Sequence, residues 1–355
     1  GDAKSGFVVS ATAKAGKLTL PVALTVTPAT NGVAASLGVA AGTLGNGVSV
    51  VLYRNVWSDS GMPSVLSPYV GYYTATLPGG ETVGSGYLAF TVDKKGGVKT
   101  AGKLADGTAV SQSGTLALDD SNRLWAVVYA VPSAYKGGSL SGFAEFAVPT
   151  NGAPVFLRGL DGGPFLWESL NPQATENYGA GFARYPALSG GRYGSLATLG
   201  AYYSSLDLTA GTATNAAAPE LTVGTNGVVS AWWNPEGVMI APVLKSGALA
   251  GLTFPVAGKP TDADKDGVWD YGATNSVALK VSLTTATGLF KGSFLAWFDY
   301  AGKHVSKAVS FVGALTPVRE DTDDGMEGRG YFLWADKRSY DSGKVDKNGD
   351  PVMTA

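Results

Sequence analysis

Residues 17–27 (KLTLPVALTVT) alternate strictly. Leu18, Leu20, Val22, Leu24 and Val26 fall on one face of an extended chain, and Thr19, Pro21, Ala23, Thr25 and Thr27 fall on the other. A period of two marks a half-buried strand, because successive side chains take opposite faces. Pro21 cannot donate a ladder hydrogen bond, so this strand is expected at a sheet edge or bulged. The same pattern predicts strands over 87–92, 124–129, 277–283, 290–300, 305–315 and 330–334. Along the whole chain such runs number roughly twenty, at the spacing of antiparallel meanders. Helical windows are scarce, and residues 167–174 (WESLNPQA) predict only one short turn of helix. The predicted class is all-β: an antiparallel meander of roughly twenty strands closed into one large or two smaller β-barrels or sandwiches.

One glycine spacing recurs. Gly138 and Gly142, Gly247 and Gly251, and Gly288 and Gly292 are each four residues apart, which puts both members on one face of a strand. The first can supply a positive φ for a hairpin. The second leaves a gap for a cross-strand aromatic ring or marks a bulge that curves the sheet. The segment 150–154 (TNGAP) reads as a linker and divides the chain into 1–150 and 151–355, each half with its own strands and the second carrying an acidic loop.

Composition narrows the function classes. Among 355 residues, 45% are apolar and 15% charged, against about a quarter charged in ordinary globular chains, so the sequence can form a core and is not disordered. The net charge of −2, without a basic run, excludes nucleic acid as an expected partner and gives no basis for anionic-membrane binding. No stretch approaches the about 20 apolar residues of a membrane helix. The absence of Cys closes off disulfides, thiolate chemistry and Cys-based zinc sites, and it agrees with export from a bacterium. The opening GDAKSGFVVS has no signal-peptide pattern, so any such segment is expected upstream or already removed.

The sharpest chemical motif is DADKDGVWD, with Asp262, Asp264 and Asp266 at alternate positions, Gly267 for a sharp turn and Asp270 three residues on. Hard oxygen donors on a tight loop suit Ca²⁺. Position twelve of an EF-hand would hold a bidentate Glu, but here it is Ala273, so the loop is closer to those of thrombospondin type 3 repeats; a solvated acidic turn is the alternative. A second acidic run spans 320–324 with Glu327 behind it, and 346–350 is a weaker echo; both read as charged hairpin loops.

His304 is the only histidine and no GxSxG motif exists, so a Ser-His-Asp triad has no visible parts and His304 reads as a surface residue. Glu145, Glu168, Glu220 and Glu236 are the acids a glycosidase pair would draw on. Of the eight tryptophans, Trp125, Trp297 and Trp334 lie in strand patterns that suit a core or barrel lining. Trp232 and Trp233 are adjacent, so one of them is expected near solvent, where it could stack on a sugar ring.

Several stretches carry a resemblance. They are GYYT from Gly71, GSGYLAFTVD from Gly84, GKLADGT from Gly102, GSLSG from Gly138, Trp167, YGAGF from Tyr178, Arg192 with Tyr193, TGLFKGSF from Thr287, FVGAL from Phe311 and GRGYFL from Gly328. In this order they resemble a repeated β domain of large secreted and autotransporter-like surface proteins of Verrucomicrobiota and Lentisphaerota, over most of the chain from about Val50 to Asp336. The resemblance implies an extracellular β fold and carries no catalytic residues. The acidic segments depart from it.

The expected function is a non-catalytic structural or adhesive module of a bacterial cell surface, stabilised by Ca²⁺. Its expected partners are other surface-protein domains or further copies of itself. A carbohydrate-binding module or glycosidase, touching polysaccharide through Trp232 or Trp233, is the alternative. An outer-membrane β-barrel is a third reading, although membrane insertion is not expected.

Overall fold

The structure, a computed structural model, describes residues 7–15, 18–27, 39–45, 47–79, 84–148, 155–171, 181–194, 205–210, 220–224, 229–233, 238–240, 243–244, 252–253, 258–265, 278–300, 303–320, 323–333, 339–345 and 351–354. Among them, strands dominate and helix is confined to short turns such as Met62–Leu66 and Ser133–Tyr135. The all-β reading holds.

The first four strands, β1 (Phe7–Ala15), β2 (Leu18–Thr27), β3 (Val39–Leu44) and β4 (Ser49–Tyr53), form an antiparallel sheet in chain order. The alternation in β2 separates the faces: Leu24 is buried, whereas Thr19, Pro21, Ala23 and Thr25 are exposed. The expectation for Pro21 is corrected. β2 lies between β1 and β3, but its ladder to β3 ends at Val22↔Leu44, so Pro21 stands where no partner on that side needs its missing N–H. There its carbonyl accepts from Gly45 N at 2.8 Å.

The second sheet holds β5 (Gly71–Pro78), β6 (Ser85–Val92), β7 (Gly97–Lys103), β8 (Ala109–Thr115), β9 (Ala117–Leu118), β10 (Leu124–Ala130), β11 (Leu140–Ala147), β12 (Phe156–Gly159), β13 (Leu166–Ser169), β14 (Phe182–Arg184) and β15 (Ser189–Arg192). Following the ladders gives β10-β11-β12-β15-β5-β6-β7-β8, which curls into a nearly closed barrel. Every second residue turns inward: Tyr73, Leu88, Phe90, Leu124, Phe146 and Leu157 share one core. Tyr73 and Phe90 meet Phe146 edge-on, at 5.1 and 6.0 Å between ring centres, the geometry that aromatic quadrupoles favour. The segment 150–154, where the sequence divides the chain, lies between β11 and β12, which pair within this barrel.

The predicted helical turn at 167–174 is also corrected. Leu166–Ser169 is β13, and residues 172–174 lie outside the described ones. Burial alternates along β13. Trp167 is fully buried, and its indole N–H donates to Tyr135 Oη at 2.8 Å.

Beyond the barrel come β16 (Ser205–Ala210), β17 (Glu220–Gly224), β18 (Val229–Trp233), β19 (Val238–Ile240), β20 (Val243–Leu244), β21 (Leu252–Thr253), β22 (Lys280–Thr284), β23 (Leu289–Tyr300), β24 (Lys303–Glu320), β25 (Asp323–Phe332), β26 (Ser339–Val345) and β27 (Pro351–Thr354). Eight of them make a sheet in the order β19-β18-β17-β16-β25-β24-β23-β22, antiparallel except where β16 meets β25. β24 lies against the outer wall of the barrel at β5 and β15. Thr74 Oγ1 donates to the Leu315 carbonyl at 2.6 Å, and Tyr193 Oη donates to the Thr285 carbonyl at 2.7 Å. No helix among the described residues is long and apolar enough to cross a membrane.

Candidate functional site

The start of the acidic loop is described. Asp262 follows Thr261, the chain bends at Ala263 and Asp264, and Lys265 takes the left-handed conformation with φ 63°. Asp262 Oδ1 is shielded from solvent and has no hydrogen-bond partner. A shielded carboxylate oxygen without a donor is costly, and a bound cation is one partner that would relieve it. Asp262 therefore fits a first calcium ligand. Asp264 has an interaction of its own. Asp266 and Asp270 lie outside the described residues, as do Gly267 and Ala273. Among the described residues, no three His, Asp or Glu side chains gather as a metal site.

The second acidic run is the end of a hairpin. Glu320 stands opposite Asp323, and Arg319 opposite Asp324, at the junction of β24 and β25. The run at 346–350 lies outside the described residues. His304 pairs in register with Asp299, one pair from Tyr300↔Lys303 at the closed end of the β23–β24 hairpin.

Trp232 and Trp233 close β18, which runs between β17 and β19. Register sets Trp232 between Glu220 and Met239, and Trp233 opposite Val238. One acid named from sequence thus holds the cross-strand position of one tryptophan. Glu236 lies outside the described residues.

The other two acids serve the fold. Glu145 is buried and accepts from Arg158 Nε at 2.8 Å and Nη2 at 3.1 Å, a bidentate pair that holds the guanidinium above its ordinary range. Glu168 receives the Ser139 hydroxyl at 3.3 Å, and its N–H donates to the Ser139 carbonyl. Ser139 and Glu145 are six positions apart on the β11 segment, roughly 20 Å at strand rise, whereas paired glycosidase carboxylates stand about 5–9.5 Å apart. Glu145 and Glu168 are not such a pair.

The LADGT stretch is a turn. Asp106 accepts from Thr108 N at 2.9 Å and from Tyr135 Oη at 2.7 Å, and Gly107 takes φ 87°. A hydrogen-bonded chain runs from the half-buried Asp106 through Tyr135 to Trp167 in the apolar core. Burial pushes the Tyr135 phenol well above its ordinary range, so it stays a donor.

The sequence reading missed a feature at the barrel seam. β8 and β10 are neighbours without a backbone ladder. The amide of Gln112 spans the gap: Nε2 donates to the Val127 carbonyl at 2.5 Å, and Oε1 accepts from Tyr129 N at 2.6 Å. Trp125, expected as a core or barrel-lining residue, is buried, and it lies on the outer face of the barrel wall. There it is covered by Tyr53 at 5.1 Å and Phe143 at 5.3 Å, both edge-on, with its indole N–H unpartnered. Val127, Tyr129 and Phe143 continue this surface and are about half exposed. The only signal in the sequence was the run LWAVVYA, which is apolar on both faces. Comparison of the chain with protein-family models, with curated proteins and with solved structures returns no match.

Proposed function

We propose that the protein is a non-catalytic, extracellular structural or adhesive module of a bacterial surface, with a calcium ion held on the 262–270 loop. One observation carries this reading: the interior, where a ligand-carrying barrel keeps its cavity, is packed with Tyr73, Leu88, Phe90 and Phe146. The acids around it add to the argument, since Asp106, Asp119, Glu145 and Glu168 are all engaged in hydrogen bonds or ion pairs. Such side chains hold a shape. An apolar interior is also the reverse of the polar lumen of a membrane-spanning barrel, which removes support from that reading.

Calcium would be held by Asp262, with Asp264, Asp266 and Asp270 completing the loop. The test is thermal unfolding with Ca²⁺ and with chelator. Calcium is expected to raise Tm, and Asp262→Asn is expected to abolish the rise. An identical Tm in both conditions would remove calcium from the proposal, and turnover of a polysaccharide would remove its non-catalytic part.

Carbohydrate binding is the second reading, favoured by the Glu220↔Trp232 register. Polysaccharide would then quench tryptophan fluorescence, and Trp232→Ala would weaken the quenching.

A further inference from the structure

β4 is one of the two edges of the N-terminal sheet, with β1 at the other, and among the described residues no strand pairs with its free side. Soluble proteins normally guard such an edge with charge, proline, a bulge or extreme shortness, because its free N–H and C=O groups template pairing with another chain. β4 reads Ser-Val-Val-Leu-Tyr and carries neither charge nor proline. Its register to β3 runs unbroken from Ser49↔Thr43 to Tyr53↔Val39, so no bulge turns the edge away. Val51 and Leu52, on opposite faces, are 50% and 51% exposed, and Val48 just before the strand is 50% exposed.

This edge runs into a second, largely apolar surface, flanked beside Trp125 by the paired charges of Glu145 and Arg158. Tyr53 rests on Trp125 and Trp125 on Phe143; Val127 stands opposite Phe143 and Tyr129 opposite Ser141. The contact within one chain is thus the beginning of a larger apolar surface, with the remainder in solvent.

We propose that β4 pairs antiparallel with β4 of a second copy about a two-fold axis at Val51. The two four-stranded sheets would then form one of eight strands, and the Val127–Tyr129–Phe143 strip of each copy would be covered. The occupant follows from the chemistry. Antiparallel pairing about Val51 sets Val51 against its own counterpart and Ser49 against Tyr53, and all of these are uncharged. The side chains of β4 offer no counter-charge to a charged strand, whereas a second copy matches them group for group, as an isologous contact requires. The half-exposed side chains of β4 and the strip amount to roughly 1,000 Å² over two copies, near the lower limit for a specific interface. A reversible dimer is therefore expected. The inference deepens the structural reading above and rests on it only for biological sense, since neither calcium nor glycan takes part.

The test is the mass of the full chain by analytical ultracentrifugation from about 1 to about 100 μM, the range in which so small an interface associates. Wild type is expected to move from monomer to dimer. Val51→Lys sets two like charges face to face and is expected to be monomeric throughout, while Val51→Thr keeps the dimer. Mixing Val51→Lys with Val51→Glu is expected to restore it. Wild type monomeric throughout, a dimer unaffected by Val51→Lys, or a mixture that stays monomeric would each overturn the proposal. Should Val51→Lys lose its circular dichroism, hydrogen exchange of the wild type decides: amides 49–53 gain protection with concentration, and unchanged exchange overturns the pairing. Chelator leaves all these outcomes in place, so a failed calcium site and a failed dimer are told apart.

Discussion

The Gln112 amide engages the Val127 carbonyl and the Tyr129 N–H, the two groups a neighbouring strand would take on β10. Gln112→Ala leaves both to water at this exposed seam, so the expected cost is about 0.5–1.5 kcal/mol, with faster exchange of the Tyr129 amide. Gln112→Glu is more informative. A carboxylate still accepts from Tyr129 but cannot donate to Val127, so its charged form is disfavoured in the folded state and its folded pKa is raised. Stability should therefore recover as pH falls toward the carboxyl range, where the protonated acid donates again; a Tm deficit independent of pH would contradict this role. The buried tyrosines act at the other end of the scale. Burial, with Tyr72 beside it, pushes Tyr193 up to about 12, and Tyr73 and Tyr331 are raised in the same direction by burial. The unfolded chain ionises first, so stability should be level below about pH 10 and fall from there toward pH 12. Absorbance at tyrosinate wavelengths should rise together with unfolding, and a full tyrosine titration in the intact fold would contradict the assignment.

At the scale of elements, the glycine spacing shows what could be read in advance. Gly142 lies beneath the Phe165 ring and Gly292 opposite Phe311, as the expectation of an aromatic-filled gap required. A Cβ on Gly142 would stand 2.6 Å from the Phe165 ring, and one on Gly292 would meet the Lys280 carbonyl at 2.1 Å. Gly142→Ala and Gly292→Ala should each destabilise by about 1–3 kcal/mol through overpacking, the second more because backbone cannot turn aside. Chemical denaturation would measure both, and a neutral Gly292→Ala would refute the close approach. Gly288 takes the expected positive φ of 68°, but near Gly138 the positive φ falls on Gly137 instead. Gly247 and Gly251 lie outside the described residues. Period-two runs placed β2, β6, β10, β23 and β24 because each has one face inside a core. The same rule marked Trp125 as a core or barrel-lining residue without deciding between the two, since β10 is apolar on both faces and periodicity cannot then say which points inward. The seam was beyond reach for another reason. A side chain that replaces a ladder is set by three-dimensional closure, and Gln112 in AVSQSGT looks like any polar strand residue. Of the calcium motif, sequence supplied the spacing, while the stranded oxygen of Asp262 became visible only in the folded loop.

At the scale of the whole molecule, strand connectivity decides what can fold alone. A chain divided at 150 would cut the barrel twice, because β11 pairs with β12 and β5 pairs with β15 across that point. A division after Tyr193 would leave the barrel ladders intact but uncover Thr74, which is wholly buried and donates to Leu315, and Tyr193, which reaches Thr285. Water would take up the uncovered hydroxyls, so the cost lies in the packing lost where β24 and β25 cover β5, β6 and β15. The two cuts should therefore differ in kind. A fragment of residues 1–150 lacks two barrel strands and should show no cooperative unfolding. A fragment of residues 1–194 should retain strand signal by circular dichroism but unfold at lower denaturant and bind a hydrophobic dye. Adding the 195–355 fragment should then suppress the dye signal, because β24 and β25 supply the missing cover. Two halves divided at 150 that each unfold cooperatively would show that ladder continuity does not define the folding unit, and a 1–194 fragment as stable as the whole chain would show that the β24 contact contributes little.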